Sequence, residues 1–99
     1  MNAASVLWQK NPALAWREID ETTVIISPSD SVMHELNDTG SFLWKNIDGY
    51  KCAADLAALL AEKYEVAPDI ALTDTQSLLE EMSSRKLLVP VPAMVGESR

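Results

Sequence analysis

The stretch Leu36–Tyr64, LNDTGSFLWKNIDGYKCAADLAALLAEKY, decides how this chain is read. It carries the pattern of two short amphipathic helices joined by a tight turn. Asn37 stands just before an apolar-periodic run, where its side-chain oxygen can accept from an otherwise unpaired backbone N–H, so it is the expected N-cap. Leu43, Trp44 and Ile47 follow at helical spacing and share one face. Asp48-Gly49 ends the first helix, because Gly49 can take the left-handed conformation of a C′ residue. Leu56, Leu59, Leu60 and Tyr64 form the stripe of the second helix. Helices this short are not stable alone in water, so they must pack on each other and on the more C-terminal part of the chain.

Downstream, Glu65-Val66-Ala67-Pro68 is a break, and Pro68 suits the first helical position, where its missing N–H costs nothing. Asp69 in the first turn suits the helix dipole. The third helix runs to about Ser84, with Leu72, Thr75, Leu78, Leu79 and Met82 as its core stripe. Asp74, Ser77 and Glu81 lie on one flank, and Gln76, Glu80 and Ser83 towards the other. Arg85 and Lys86 stand at its C-terminal end, where cations are favoured. Leu87–Val91 is a short apolar strand or an extended cover, and Pro90 and Pro92 bar it from the middle of a sheet.

Upstream, Ala13–Ser27 (ALAWREIDETTVIIS) has the pattern of a β-hairpin. Leu14 and Trp16 alternate with Ala15 and Arg17, Asp20-Glu21 is the turn, and Thr22–Ile26 is rich in β-branched residues. Ser27-Pro28-Ser29-Asp30 is a turn signal, and Val32–Leu36 (VMHEL) is a third strand at the edge of the meander. Residues 1–12 are expected to be a lead-in whose Val6, Leu7 and Trp8 tuck onto the body. Residues 13–91 form a single domain and residues 92–99 a loose tail. The order is that of a winged-helix-like α+β fold: a three-stranded antiparallel sheet, three helices and a short extended segment.

Composition narrows the function. Ninety-nine residues make one small core, and the net charge of −7 opposes nucleic acid and anionic membrane as partners. No apolar run reaches the roughly 18 residues of a membrane span. MNAASVLWQKNP lacks the basic start and long apolar centre of a signal peptide, and lone Cys52 cannot form an internal disulfide. These features favour a cytoplasmic protein. Only three glycines are present, with no phosphate-cradling loop and no acid–base pair around a nucleophile, so catalysis is not expected. One histidine and one cysteine cannot build the usual metal cluster, and no metal or cofactor is expected. The simplest reading of His34 is a partly exposed strand residue, and that of Cys52 an inert thiol, although Lys51 beside a helix start could lower its pKa. Trp16 and Trp44 read as core anchors rather than ligand platforms. The charges from Asp74 to Glu81 read most simply as a solvated helix face.

The order and spacing of these segments resemble the PqqD family, small recognition proteins of ribosomally made, modified peptides. The matching residues are LNDTGSFLW (Leu36–Trp44) with Asp48-Gly49, then ADLAALLAEKYEVAP (Ala54–Pro68), LLEEM (Leu78–Met82) and Leu87-Leu88. The hairpin WREIDETTVIISPSD (Trp16–Asp30) fits as well, so the likeness covers roughly Pro12 to Val89. It implies a non-enzymatic module that binds the leader of a precursor peptide and presents it to a modifying enzyme, often a radical S-adenosylmethionine enzyme. The family's mode implies a peptide added as a strand beside Val32, Met33, His34, Glu35 and Leu36. That agrees with the physics of an edge strand, whose main-chain groups bind and whose neighbouring pockets select. The facing wall is a flank of the third helix, with Asp74, Leu78 and Glu81 the better guess of the two. Asp74, Glu80 and Glu81 would favour a peptide carrying Lys or Arg.

Two other classes compete. A winged-helix DNA reader needs Lys and Arg for phosphates, but the third helix carries Asp69, Asp74, Glu80 and Glu81 and no base before Arg85. A scaffold subunit that merely stabilises an enzyme is the other, and an edge strand also invites a homodimer or a swap. Neighbouring reading frames would discriminate: a short peptide and a modifying enzyme, or a promoter. The chain departs from the family pattern at three caps: Cys52 for Thr or Ser, Ala67 for Ser or Asp, and Lys86 for Gly. Ala67→Ser is therefore expected to add roughly 0.5–1 kcal/mol by satisfying an N–H of the third helix. A rise in Tm checks it, and no gain or a loss would refute it.

Overall fold

The computed structural model describes residues 6–28 and 31–91. Met1–Ser5 of the expected lead-in, Ser29-Asp30 of the expected turn and the expected tail, residues 92–99, lie outside them. The elements are β1 (Leu7–Lys10), β2 (Ala15–Ile19), β3 (Thr22–Ser27), β4 (Val32–Leu36), α1 (Asp38–Asn46), β5 (Lys51–Cys52), α2 (Ala53–Tyr64), α3 (Pro68–Ser84) and β6 (Leu88–Pro90). The chain is α+β, as expected, with β2, β3 and β4 forming an antiparallel meander in that order. Ile19 pairs with Thr22, so Asp20-Glu21 is a two-residue turn, and both residues have positive φ (51° and 68°). That is the primed turn whose twist matches its strands.

A second sheet was not expected. Its order is β5-β1-β6, so the segment read as tucking onto the body supplies the middle strand. Trp8 pairs with Lys51 on one side and with Pro90 on the other. Pro90 thus lies on an edge strand, where its missing donor is tolerated. β5 occupies two residues of what was read as a plain turn between helices. Gly49 does have positive φ (91°), but two residues beyond the C-cap Ile47 rather than at C′. Its N–H donates to the carbonyl of Trp8 at 2.9 Å, and Asp48 Oδ1 accepts from the N–H of Tyr50 at 2.9 Å. The turn therefore ties α1 to the second sheet.

The core gathers Ile25 from β3, Leu43, Trp44 and Ile47 from the α1 segment, Leu56 and Leu60 from α2, Leu79 and Met82 from α3, and Leu87-Leu88. α2 packs most extensively on α3. The α3 stripe is buried at Ala71, Thr75, Leu79 and Met82, while Leu72 and Leu78 are half-buried against the core. Leu59 is likewise half-buried, and Tyr64 is exposed with its ring edge-on to Phe42 at 5.9 Å. Trp44 is a core anchor as expected. Trp16 is not: β2 is exposed along its length and Trp16 keeps 43% of its surface in solvent. β2 is an edge strand, so only one side of the indole finds cover, against Trp44.

The caps follow the sequence closely. Asn37 Oδ1 accepts from the N–H of Gly40 at 2.8 Å. Asp55 Oδ2 accepts from the N–H of Cys52 at 3.1 Å, which supplies half of a capping box although the cap is a thiol. Ala67 offers α3 no side-chain bond. At the other end of α3, Leu87 N–H donates to Met82 O and Lys86 N–H to Ser83 O, both at 2.9 Å, with Lys86 left-handed at φ 64°. This is a Schellman closure, in which the left-handed position favours glycine. Lys86→Gly is expected to raise stability by about 1 kcal/mol by removing the Cβ strain. A higher urea midpoint with unchanged slope checks it.

Candidate functional site

Strand order leaves β4 at one end of its sheet, and among the described residues no further strand pairs with it. The register sets which way its side chains turn. His34 lies opposite buried Ile25 and Leu36 opposite buried Thr23, so Val32, His34 and Leu36 share the inner face. Met33 and Glu35 share the outer face with Ile26 and Val24, and Met33 is 68% exposed.

The end of β4 is stapled to α1 by one hydroxyl. Ser41 Oγ accepts from the buried N–H of Thr23 at 2.9 Å and donates to the carbonyl of Leu36 at 3.2 Å. Asn37 turns the chain between them, with its carbonyl accepting from the N–H of Ser41 at 2.7 Å. Across from β4 stands the C-terminal half of α3. The gap between them is a cavity of about 210 Å³ lined by Glu35, Leu36, Asn37, Gly40, Leu78, Glu81, Met82, Arg85 and Leu87. Gly40 makes room: a Cβ there would lie 3.2 Å from Asn37 Oδ1 and 3.4 Å from Leu36 Cβ. A second hollow of about 710 Å³ continues towards the start of β4, where Val32 and His34 face Asn11, Leu14, Arg85 and Lys86. Arg85 lines both. Asn11 fixes this end, its Nδ2 donating to Lys86 O at 2.9 Å and its N–H to Leu87 O at 3.0 Å.

Of the residues singled out in the sequence, Glu35, Leu36, Leu78 and Glu81 line the smaller cavity, and Val32 and His34 the larger hollow. Met33 lines neither. Asp74 continues the Leu78–Glu81–Arg85 stripe towards the N-terminus of α3 and also lines neither. The two flanks of α3 border different hollows, and Ser77, read with Asp74 and Glu81, falls on the side of the second sheet. The Gln76–Glu80–Ser83 flank turns to the second sheet, where it lines a larger hollow of about 780 Å³ with Trp8 and Ala53. Sequence reasoning passed over Asn37, Gly40, Met82, Arg85 and Leu87 as lining residues. Arg85 carried a signal, since it falls at i+4 from Glu81 and i+7 from Leu78.

Among the described residues the groove holds one internal ion pair, Arg85 to Glu81 at 2.7 Å, with both side chains about half exposed (49% and 56%). An i,i+4 pair so exposed contributes about 0.3–0.5 kcal/mol and can be exchanged for another partner. The perturbed groups lie elsewhere. Burial pushes the Lys10 ammonium below its usual pKa, partly offset by Asp48, and the hydrogen bond from Lys51 holds the Asp48 carboxyl below its own. Among the described residues no three His, Cys, Asp or Glu side chains converge as metal ligands. His34 and Cys52 belong to different sheets, and Cys52 Sγ lies 3.4 Å from Asp55 Oδ2.

With this geometry in hand, comparison with known proteins gives the family. The family model described as coenzyme PQQ synthesis protein D (PqqD) matches residues 15–88. The chain belongs to the PqqD family. No curated protein matches the sequence. Solved structures share the fold of this PqqD-family chain. TbiB1 in complex with the TbiA(beta) leader peptide is 17% identical, with a TM-score of 0.75 over 89% of this chain and 99% of that one. Lasso peptide synthetase B1 complexed with the leader peptide is 22% identical, with a TM-score of 0.75 over 84% and 98%. The solution structure of the PqqD truncation of Methylobacterium extorquens PqqCD, a stand-alone RiPP recognition element, is 19% identical, with a TM-score of 0.71 over 89% and 93%. At these identities the likeness is one of fold.

The staple at the end of β4 is the part of the site most open to test. Ser41→Ala leaves the buried Thr23 N–H without an acceptor, which costs about 1–3 kcal/mol. Chemical denaturation should show that loss, and amide exchange should quicken first at Thr23.

Proposed function

We propose that this PqqD-family chain binds the leader segment of a ribosomally made precursor peptide as an added strand along β4, against the Leu78–Glu81–Arg85 stripe of α3. In this reading it presents the peptide to a modifying enzyme, of which a radical S-adenosylmethionine enzyme is the expected type, and performs no chemistry itself. The observation that carries the reading is the pairing of an open sheet edge with a lined groove in a chain of this family. An edge strand supplies main-chain hydrogen bonds to any extended peptide, and the pockets beside it choose among side chains. Two structures of the same fold are leader-peptide complexes, which supports the reading. Val32, His34 and Leu36 would face the peptide's inward side chains, with Leu78 and Glu81 opposite. Met33 and Glu35 would contribute through the main chain, and Asp74 would act only on a peptide long enough to reach it. Among the described residues no helix is long and apolar enough to cross a membrane, and the reading places the chain in the cytoplasm with its enzyme.

The test is an NMR titration of labelled chain with the leader half of a short peptide encoded beside it. Amide shifts should concentrate in Val32–Leu36 and the last two turns of α3. Leu78→Glu should weaken binding at least about tenfold, since a half-buried apolar contact becomes a charge at the cavity wall. Shifts confined to other elements, or none at large peptide excess, would overturn the reading.

A further inference from the structure

The outer face of the meander is apolar although its own fold has no use for it there. Ile25 and Thr23 are fully buried, so their β3 neighbours Val24 and Ile26 turn the other way, and the register carries that face across all three strands. One row reads Ala15–Ile26–Met33 and the next Arg17–Val24–Glu35. α1 is fastened to the opposite face, where Ser41 holds the Thr23 amide. A sheet with one packed face ordinarily shows polar residues on the other. Here four of the six side chains in those rows are apolar. Ile26 and Met33 keep 46% and 68% of their surface in solvent, and Ile19 on the same face of β2 keeps 50%.

The charges on this face say what fits it. Arg17 and Glu35 stand at the two ends of one row, on β2 and β4, with Val24 between them on the middle strand. A two-fold axis along β3 lays a second sheet over the first, exchanges the outer strands and keeps each row level. Arg17 then faces Glu35 of the partner subunit, and Glu35 faces the partner's Arg17. Ala15 meets the partner's Met33, a small side chain against a long one, while Val24 and Ile26 each meet their own counterparts. We infer that a second copy of this chain covers the outer face of β2-β3-β4, in a face-to-face dimer whose register is set by two Arg17–Glu35 contacts. The interface is isologous, with the strands of the two sheets within about 30° of each other. Three strands of five or six residues present roughly 200–250 Å² in projection, so the dimer belongs to the weak class that buries under about 1,200 Å² in all. The net charge of −7 on each copy weakens it further until salt screens the repulsion. The hydrogen-bonding edge of β4 stays open in this arrangement, so the inference stands apart from the peptide-binding reading.

The test is sedimentation equilibrium of the full chain from about 10 μM to about 1 mM, at roughly 0.05 M and 0.5 M salt. The mass should rise from monomer towards dimer with concentration, and the midpoint should fall several-fold in the higher salt. Ile26→Glu sets two like charges against each other at the axis and should leave a monomer throughout. Arg17→Glu should weaken association about tenfold or more, and Arg17→Glu/Glu35→Arg should restore it, since each pair is remade in reverse. That exchange leaves the net charge at −7. So does Arg17→Glu/Glu62→Arg, whose compensating change lies on α2, and this variant should stay weak. Thermal melts confirm that the variants fold. A chain still monomeric at about 1 mM in both salts would leave the face to a different protein and overturn the inference. A dimer that survives Ile26→Glu, or one that the charge exchange fails to restore, would overturn it as well. Peptide binding would stand in each case.

Discussion

Trp44 is the joint on which the rest of the structure depends. Its indole is wholly buried on α1, yet parts of both sheets close over it. From the meander, Trp16 stands edge-on to it with ring centroids 5.8 Å apart. From the second sheet, Lys10 places its ammonium 5.5 Å from the Trp44 ring and 5.3 Å from that of Trp16. The same ammonium donates to the carbonyl of Ile47 at 2.7 Å, just past the end of α1. One side chain therefore couples α1, β2 and β1. Truncating a buried tryptophan to alanine costs about 3–5 kcal/mol, a large share of the roughly 5–15 kcal/mol that holds a domain together. The lowered pKa of Lys10 is the counterpart: partial burial disfavours its charge, which two rings and a carbonyl help to hold.

The joint also explains why one sheet edge can remain open. With β3 fastened through Ile25 to the core and through the Thr23 amide to Ser41, β4 is held from one side only and needs no cover to stay in register. An open edge is ordinarily a hazard, because it templates pairing with another chain. Here it is short, carries Glu35, and belongs to a chain with a net charge of −7, features that oppose edge-to-edge pairing of two copies.

How much of this was legible beforehand depends on the range over which the information is written. Asn37, Pro68, the Asp20-Glu21 turn and the α3 stripe are local signals, and the structure places them as the spacing implied. β4 as the end of a meander was also legible, since consecutive strands joined by tight turns order themselves. The second sheet was not. Leu7–Lys10 pairs with Leu88–Pro90, about eighty positions away, through main-chain bonds such as Val91 N–H to Leu7 O at 2.8 Å. Such bonds leave no side-chain pattern in a four-residue strand. Trp16 was misjudged for a related reason: alternation shows that one face is covered, not how completely, and an edge strand covers little. At the site, helical spacing put Leu78, Glu81 and Arg85 on one stripe, but which sheet that stripe faces is a property of the packed whole.

Left-handed backbone marks the same groove from another direction. Among the described residues, the non-glycine ones with positive φ are Asp20, Glu21, Ser31, Glu65 and Lys86, of which two flank the groove: Ser31 at the start of β4 and Lys86 after α3. Each such residue carries a strain of about 1 kcal/mol or more, and strain of this kind tends to collect where function holds the side chain in place. At Lys86 the two demands are separable. The backbone there asks for glycine, which would close α3 equally well through the same bonds to Ser83 and Met82. Glycine would, however, remove one of the two cations that line the hollow beside the start of β4. A lysine in a position shaped for glycine is poor for stability and intelligible for recognition. Residue 86 is where those two pressures can be measured against each other on one side chain.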